Sequence, residues 1–487
     1  MDYATSFALI VPELVLTVSG LLLLIIAAFA GEKSSRLVSI LAVTAIAAAA
    51  FLVAPALING AGGEPAMAFY GQISADAFAA FAKLLTYFAA IGCLVIAPGF
   101  FEHRRAMKPE YPVLVVFATL GMSIMVSATD LMTLYIGLEL NSLAAYVLAS
   151  FLRNDSRSAE AGLKYFVLGA LASGILLYGM SLTYGFTGTT SFAGIREAHE
   201  AGLSTGALFG LIFVFAGLAF KVSAVPFHLW TPDVYEGAPT PVTTFFATAP
   251  KVAAIALTAR VALDAFGSQP DAWRQIVIFA ALASIVVGAL GAIGQNNLKR
   301  LLAYSSINNV GFILIGLAAA TPAGASAMLF YLAIYVVMSL GSFVAVLMLR
   351  NGEGEYLETF DDIAGLSSTR PGIAWCLLIL MFSLAGIPPL MGFFAKLEVF
   401  RAVVEAGLIP LAVIGIAASV IGAFYYIKFV KVMFFDEAVG RATKSASASQ
   451  WAILGICTLL ISPLGWFLTR GLELMTDTAA AGLFAGV

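Results

Sequence analysis

The chain has 487 residues, of which 61% are hydrophobic and only 11% charged, with a net charge of −3 and a mean hydropathy of +0.98. A soluble domain carries about a quarter charged residues, so these proportions exclude one and mark an all-α, polytopic membrane protein. Cys93, Cys376 and Cys457 lie far apart in apolar runs. With no Cys-x-x-Cys pair, neither an iron–sulfur cluster nor a structural zinc site is expected. No Gly-rich loop suggests a nucleotide site, and no nucleic-acid partner is expected.

A membrane span needs about 20 apolar residues. Fourteen such segments read along the chain, near 7–29, 35–58, 75–97, 112–129, 131–152, 160–185, 205–228, 240–262, 274–294, 300–319, 324–349, 372–404, 408–434 and 451–470. The first begins almost at once and lacks a basic leader, which predicts no cleavable signal. The seventh and twelfth segments are irregular. Pro226 interrupts the seventh, because proline removes a donor and clashes with the preceding turn. The twelfth is too long for one pass and contains Leu384-Ala-Gly386-Ile-Pro388-Pro389, which no unbroken helix accommodates. A short surface helix fits 191–202, and no soluble domain is visible.

Basic residues set the orientation. The odd-numbered loops carry Lys33 and Arg36; Arg104, Arg105 and Lys108; Arg153 and Arg157; Lys299 and Arg300; Arg350 and Arg370; and Arg441 and Lys444. The even-numbered loops offer Arg196 and Arg401, with Arg260 and Arg274 at segment ends. The odd loops therefore face the cytoplasm and both termini the opposite side. Segments four to eight and nine to thirteen each form a block of five, and in each block the fourth member is broken by proline and bears a lysine. Two five-helix units in series have opposite membrane orientation, the arrangement of inverted repeats in ion-coupled transport folds. The division is 1–110 (helices 1–3), 111–263 (helices 4–8), 264–435 (helices 9–13) and 436–487 (helix 14 and tail).

Four ionisable residues fall deep in this apolar framework. Glu139 is roughly 13 Å into segment five and Lys251 lies near the middle of segment eight. Lys221 and Lys396 flank the breaks in segments seven and twelve. An ammonium at mid-membrane costs about 2.5–3.5 kcal/mol on insertion scales, and the four charges together on the order of 10 kcal/mol. Glu139 and Lys221 form the natural ion pair, with Asn141 and Ser142 beside Glu139 to hold water or orient the carboxylate. The bland alternative is a static buried pair that only fixes helix packing. Lys83, Lys164, Lys428 and Lys431 read as snorkelling side chains, and Glu13 and Asp76 receive the same reading. Glu160 and Lys164 have the spacing of a helical surface pair. His228 follows the break and is a secondary relay candidate beside a satisfied core histidine, while His103 and His199 read as solvated loop residues.

The string Phe220-Lys221-Val-Ser-Ala-Val-Pro226-Phe-His228-Leu-Trp-Thr-Pro232-Asp-Val-Tyr-Glu236-Gly-Ala-Pro-Thr-Pro-Val resembles the antiporter-like membrane subunits of respiratory complex I (NADH:quinone oxidoreductase) and the related Mrp cation/proton antiporters. Leu384-Ala-Gly-Ile-Pro-Pro-Leu-Met-Gly-Phe-Phe-Ala-Lys396 and Asn297-Leu-Lys-Arg-Leu-Leu-Ala-Tyr-Ser-Ser306 resemble two further motifs of that family, so the likeness covers essentially the whole chain. Pro250-Lys251, Lys396 in place of a glutamate, and an end soon after segment fourteen resemble the N branch more than the L and M branches. The resemblance implies a proton-translocating subunit of the bacterial inner membrane with no redox centre of its own. It implies Glu139, Lys221, Lys251 and Lys396 as the translocating groups. It also implies that NADH, FMN, iron–sulfur clusters and quinone belong to the wider complex. The implied partners are lipid, protons, another antiporter-like subunit and small membrane subunits. The competing readings are an Mrp-type antiporter subunit, a structural membrane-arm subunit without a proton path, and a small-molecule transporter, for which no aromatic and polar cluster is evident.

Overall fold

The computed structural model describes residues 3–59, 66–438, 440, 442 and 446–485. Arg441 and Lys444, used above for orientation, lie outside the described residues. The apolar runs coil into helices because a backbone without water must satisfy its polar groups internally. The first part of the chain forms α1 (Tyr3–Leu9), α2 (Val11–Ala30), α3 (Ser35–Asn59), α4 (Ala77–His103), α5 (Glu110–Ser127), α6 (Leu131–Ala149), α7 (Ser156–Thr187) and the short α8 (Phe192–Ala198). The surface helix expected over 191–202 is α8. Next come α9 (Thr205–Val222), α10 (Trp230–Gly237), α11 (Thr240–Ala247), α12 (Ala249–Arg260), α13 (Pro270–Ile293), α14 (Leu298–Ala318) and α15 (Pro322–Leu347). Two single turns, α16 (Phe360–Ile363) and α17 (Leu366–Thr369), lead into α18 (Pro371–Ala385), α19 (Met391–Glu405), α20 (Ile409–Phe435), α21 (Ala448–Ile461) and α22 (Trp466–Phe484). A two-residue hairpin, β1 (Met67–Ala68) with β2 (Ile73–Ser74), was not anticipated.

Among the described residues, eleven helices are long and apolar enough to cross a membrane, or twelve if the bent α21–α22 pair is one span. That count takes 11–58 as one stretch, although the 3₁₀ turn Gly31–Ser34 divides it and α2 packs against α3. It also omits the broken twelfth segment, whose halves α18 and α19 have 15 residues each.

Both expected breaks are present, and two more were missed. The seventh segment stops at Val222, where Ser223 turns left-handed (φ 64°), and resumes at Trp230 after the cis Val225–Pro226 bond. The twelfth stops at Ala385, turns at Gly386 (φ 86°) and resumes at Met391 after the cis Pro388–Pro389 bond. The eighth segment, read as one helix over 240–262, is also interrupted, at Thr248, because Pro250 has no N–H and belongs in the first turn of a new helix. Beyond Arg260 a π-turn (Val261–Ala265) closes it. The last segment, read as one helix over 451–470, bends by 69° between α21 and α22, where Pro463 starts a 3₁₀ turn.

Helix α14 packs against α10, α13, α15, α19 and α20, and α15 against α11, α18, α19, α21 and α22. These two buried helices therefore lie between the two broken segments. Close approach relies on glycine where α5 crosses α6: a Cβ on Gly121 would meet Asn141 N at 2.5 Å and Gly137 O at 2.6 Å. Glu13, Asp76 and Lys83, read as snorkelling charges, are instead buried in ion pairs. Lys83 Nζ lies 2.6 Å from Glu13 Oε1, to which Ser123 Oγ donates at 2.6 Å. Arg260 Nη2 donates to both oxygens of Asp76, at 2.9 and 2.8 Å, and its Nε donates to Val126 O at 3.1 Å. Sequence position placed these groups near segment ends, where an exit to water was the simplest assumption; the neighbouring helices close that exit. The other three lysines fit the earlier reading more closely. Lys164 pairs with Glu160 (2.6 Å) and Asp233 (2.8 Å), Lys431 with Asp436 (2.5 Å), and Lys428 sits over the Phe360 ring.

Two outcomes follow. Removing one partner of a buried pair costs about 3–5 kcal/mol, so Lys83→Met should lower the thermal midpoint of the detergent-solubilised protein, and adding Glu13→Leu should recover much of it; an additive further loss would count against the pair. Gly121→Val should destabilise by about 1–3 kcal/mol through overpacking, read in the same thermal assay.

Candidate proton-relay site

The structure brings three of the four expected residues to the broken helices. A helix end leaves its last carbonyls without intrahelical partners. At the end of α9, Ala219 O accepts from Ala224 N (2.8 Å), and Phe220 O from Trp230 Nε1 (3.0 Å). Val222 O accepts from Lys251 Nζ at 3.0 Å. Lys251 Nζ also donates to Ser223 Oγ, which receives a second hydrogen bond from Thr231 Oγ1 at 2.7 Å. Lys251 is buried, 5.5 Å from the centre of the Trp230 ring and 6.0 Å from that of Tyr235. It reaches the break because the interruption at Thr248 starts α12 beside it.

The second break repeats the arrangement. Phe382 O accepts from Gly386 N (3.1 Å) and Ile387 N (3.0 Å). Lys396 Nζ donates to Ala385 O (2.9 Å), Leu384 O (3.3 Å) and Ser419 Oγ (3.4 Å), and lies 4.5 Å from the centre of the Phe312 ring. A largely apolar cavity of about 390 Å³ borders it. In both cases an ammonium meets the negative end of a half-helix dipole.

Lys221 and Glu139 depart from expectation. Among the described residues they form no ion pair within 4.0 Å. Lys221 Nζ instead donates to Ser142 Oγ at 2.8 Å, and Ser142 Oγ donates to Leu138 O at 2.7 Å. Ser142 thus serves the lysine rather than the carboxylate. Glu139 Oε1 and Asn141 Oδ1 are buried with no hydrogen-bond partner. Glu139 lies about one turn of α6 before Ser142. His228 is buried with Nδ1 unpartnered, and it makes no hydrogen bond to any of the four residues. His199, read as solvated, is buried and stacked on Phe266, and burial holds its imidazole below the ordinary range. His103 is exposed, as read, with Nε2 2.8 Å from Gly354 O.

A polar cluster on α14 was missed. Asn309 Nδ2 donates to Ser305 O (2.8 Å) and Tyr426 OH (3.2 Å), and Tyr331 OH donates to Asn309 Oδ1 (2.8 Å). Ser306 Oγ lies 2.7 Å from Tyr335 OH, and Ser305 Oγ 2.5 Å from Tyr426 OH. All six are buried. The Tyr331 ring stacks on Phe312, the ring beneath Lys396, while α10, which carries Tyr235 beside Lys251, packs on the same α14. The cluster therefore lies between the two lysines. The signal is four amides and hydroxyls within five residues, Ser305-Ser306-Ile-Asn308-Asn309, inside an apolar run; the family-like motif ends at Ser306 and leaves out both asparagines. Among the described residues no group of His, Cys, Asp or Glu could hold a metal.

Comparison with known proteins shows the family of the chain. The family model described as NADH:quinone oxidoreductase/Mrp antiporter, TM matches residues 128–422. NADH-quinone oxidoreductase subunit N of Erythrobacter litoralis is 71% identical, covering 99% of both chains, and that of Rhizorhabdus wittichii is 57% identical over 99% of this chain and 100% of its own. A chain of respiratory complex I from Thermus thermophilus superposes with a TM-score of 0.79 at 30% identity, covering 95% of this chain and 99% of that one. A chain of the Mrp complex from a Dietzia species shares the fold, with a TM-score of 0.83 at 24% identity over 99% and 98%. With more than half the chain under the family model and relatives at this identity over 99% of it, the chain belongs to the NADH-quinone oxidoreductase subunit N family of antiporter-like membrane proteins.

Proposed function

We propose that the chain is a proton-translocating membrane-arm subunit of NADH-quinone oxidoreductase, coupling NADH-to-quinone electron transfer in other subunits to proton movement through Glu139, Lys221, Lys251 and Lys396. The observation that carries the role is the docking of Lys251 and Lys396 on bare carbonyls of interrupted helices, where an ammonium and an amine are held with different strength. Full-length likeness to subunit N proteins supports the choice of complex. FMN, iron–sulfur clusters and quinone belong to the wider complex. Partners are a second antiporter-like subunit, small membrane subunits and lipid.

In the proposed cycle Glu139 and Lys221 alternate between an open arrangement, with Ser142 on the lysine, and a closed ion pair. Closure withdraws Lys221 from Ser142 and changes the charge beside Val222, the residue whose carbonyl holds Lys251. Lys251 then exchanges its proton with Lys221, the α14 hydroxyls and amides bridge toward Lys396, and Lys396 opens to one side or to the neighbouring subunit. Hydrogen-bonded chains of this kind polarise cooperatively in a medium of low dielectric.

The topology we assign has fourteen passes: α2 and α3 counted separately, α9–α10 and α18–α19 each as one broken pass, and α21–α22 as one. Two inverted five-helix units occupy 111–263 and 264–435, with both termini outside. The loop contacts support this. Loops assigned inside touch one another, as in Arg36–Glu102 (2.7 Å), Arg157–Glu358 (3.5 Å) and Lys299–Glu358 (3.6 Å). Those assigned outside do likewise, as in Arg196–Asp264 (3.6 Å) and the Asp130–Ser191 bridge.

In membrane vesicles bearing the intact complex, Lys221→Ala should reduce coupled turnover and proton pumping at least roughly tenfold, since each 1.4 kcal/mol is tenfold. Wild-type values in both would overturn the role. Glu139→Gln should weaken both with normal assembly. Substitutions of the four charges that alter assembly but not coupling would instead favour a structural subunit. Cation/proton exchange by this chain alone in proteoliposomes would favour an antiporter.

A further inference from the structure

The inner ends of α4, α5, α6 and α7 frame a feature that proton transfer does not use. Where these helices end, a cavity of about 650 Å³ is lined by Arg105, Lys108 and Arg153. The side chains of all three make no hydrogen bond or ion pair among the described residues. The mouth also holds Asp155, but that carboxylate is engaged in capping α7, accepting from Arg157 N at 3.0 Å. Lys108 and Arg153 are shared with a second cavity of about 650 Å³, which runs on as a groove floored by α5. Its walls include Leu24 of α2, Phe117 of α5 and Leu163 of α7, and Glu110 is the one acid on its rim. Leu24 and Leu163 are 46% and 64% exposed, so the groove opens sideways, toward the hydrocarbon. Phe117 lies two turns of α5 below the helix start, roughly 10 Å deep.

An unneutralised cationic mouth at helix-end level, continuous with an apolar trough open to the bilayer, has the chemistry of a phosphate headgroup above an acyl chain. Basic pockets between transmembrane helices on the cytoplasmic side are recognised sites for anionic headgroups, and each cavity is within the range of about 300–1,000 Å³ that small-molecule sites occupy. We propose that this groove binds one anionic phospholipid, its phosphate between Arg105, Lys108 and Arg153 and an acyl chain along α5 between α2 and α7. Charge complementarity favours lipid over a neighbouring polypeptide. Three free cations at one interface match a phosphate, whereas a helix of another subunit seated in the trough would leave them unpaired.

The test uses the intact complex reconstituted in liposomes containing trace phospholipid with a photoreactive acyl chain, either as phosphatidylglycerol or as phosphatidylcholine. The phosphatidylglycerol probe should label peptides covering 110–117 and 147–163, and the phosphatidylcholine probe several-fold less. R105Q/K108Q/R153Q should cut the labelling at least roughly tenfold, while R105K/R153K, which keeps the charge, should retain it; assembly is checked for both variants. Equal labelling by the two probes, labelling indifferent to the triple substitution, or crosslinking of a photoreactive residue at Val147 to another subunit would overturn the proposal.

Discussion

A lysine ammonium set against the open carbonyl end of an interrupted helix is the contact on which this molecule depends. Each side of it is costly alone. An unsatisfied backbone carbonyl in the membrane interior costs several kcal/mol, and a bare ammonium about 2.5–3.5 kcal/mol. Together, Lys251 with Val222 and Lys396 with Leu384 and Ala385 offset one another. The breaks are therefore not defects tolerated by the fold. They create acceptors, and the acceptors make it possible to keep cations at that depth. Because the interaction weakens when the proton leaves, stability of the break and occupancy of the lysine are linked.

Much of this was legible in the residues. Proline and glycine punctuation marked the seventh and twelfth segments, and the lysines could be placed beside the breaks by counting. The interruption at Thr248 is also signalled, by Pro250, but that proline sits ten residues inside the apolar segment 240–262, whose length alone suggests one unbroken helix. What could not be read was which groups touch. Glu139 and Lys221 have opposite charge and similar depth, which suggested direct pairing; a serine three residues along the same helix takes the lysine instead. Pairwise charge arguments ignore a neighbouring hydroxyl that can accept from the lysine.

The buried pairs Glu13–Lys83 and Asp76–Arg260 mark the same boundary between pattern and packing. From sequence, a charge near a segment end has water within reach. Whether it keeps that water depends on neighbours distant in the chain: Arg260 stands 184 residues from Asp76. The α14 cluster is the converse case. Its polar residues are contiguous and visible, yet their meaning rests on Tyr331, Tyr335 and Tyr426 arriving from α15 and α20.

The two docked lysines come from different places. Lys396 belongs to the half-helix that follows its own break, whereas Lys251 is supplied by the next segment along. On the proposed reading, discharging Lys396 slackens a hinge within a single strut. Discharging Lys251 unfastens a joint between two struts and frees them to slide. On that same reading the two breaks are alike in chemistry but unlike in mechanics, and the first would be the one to pass movement sideways.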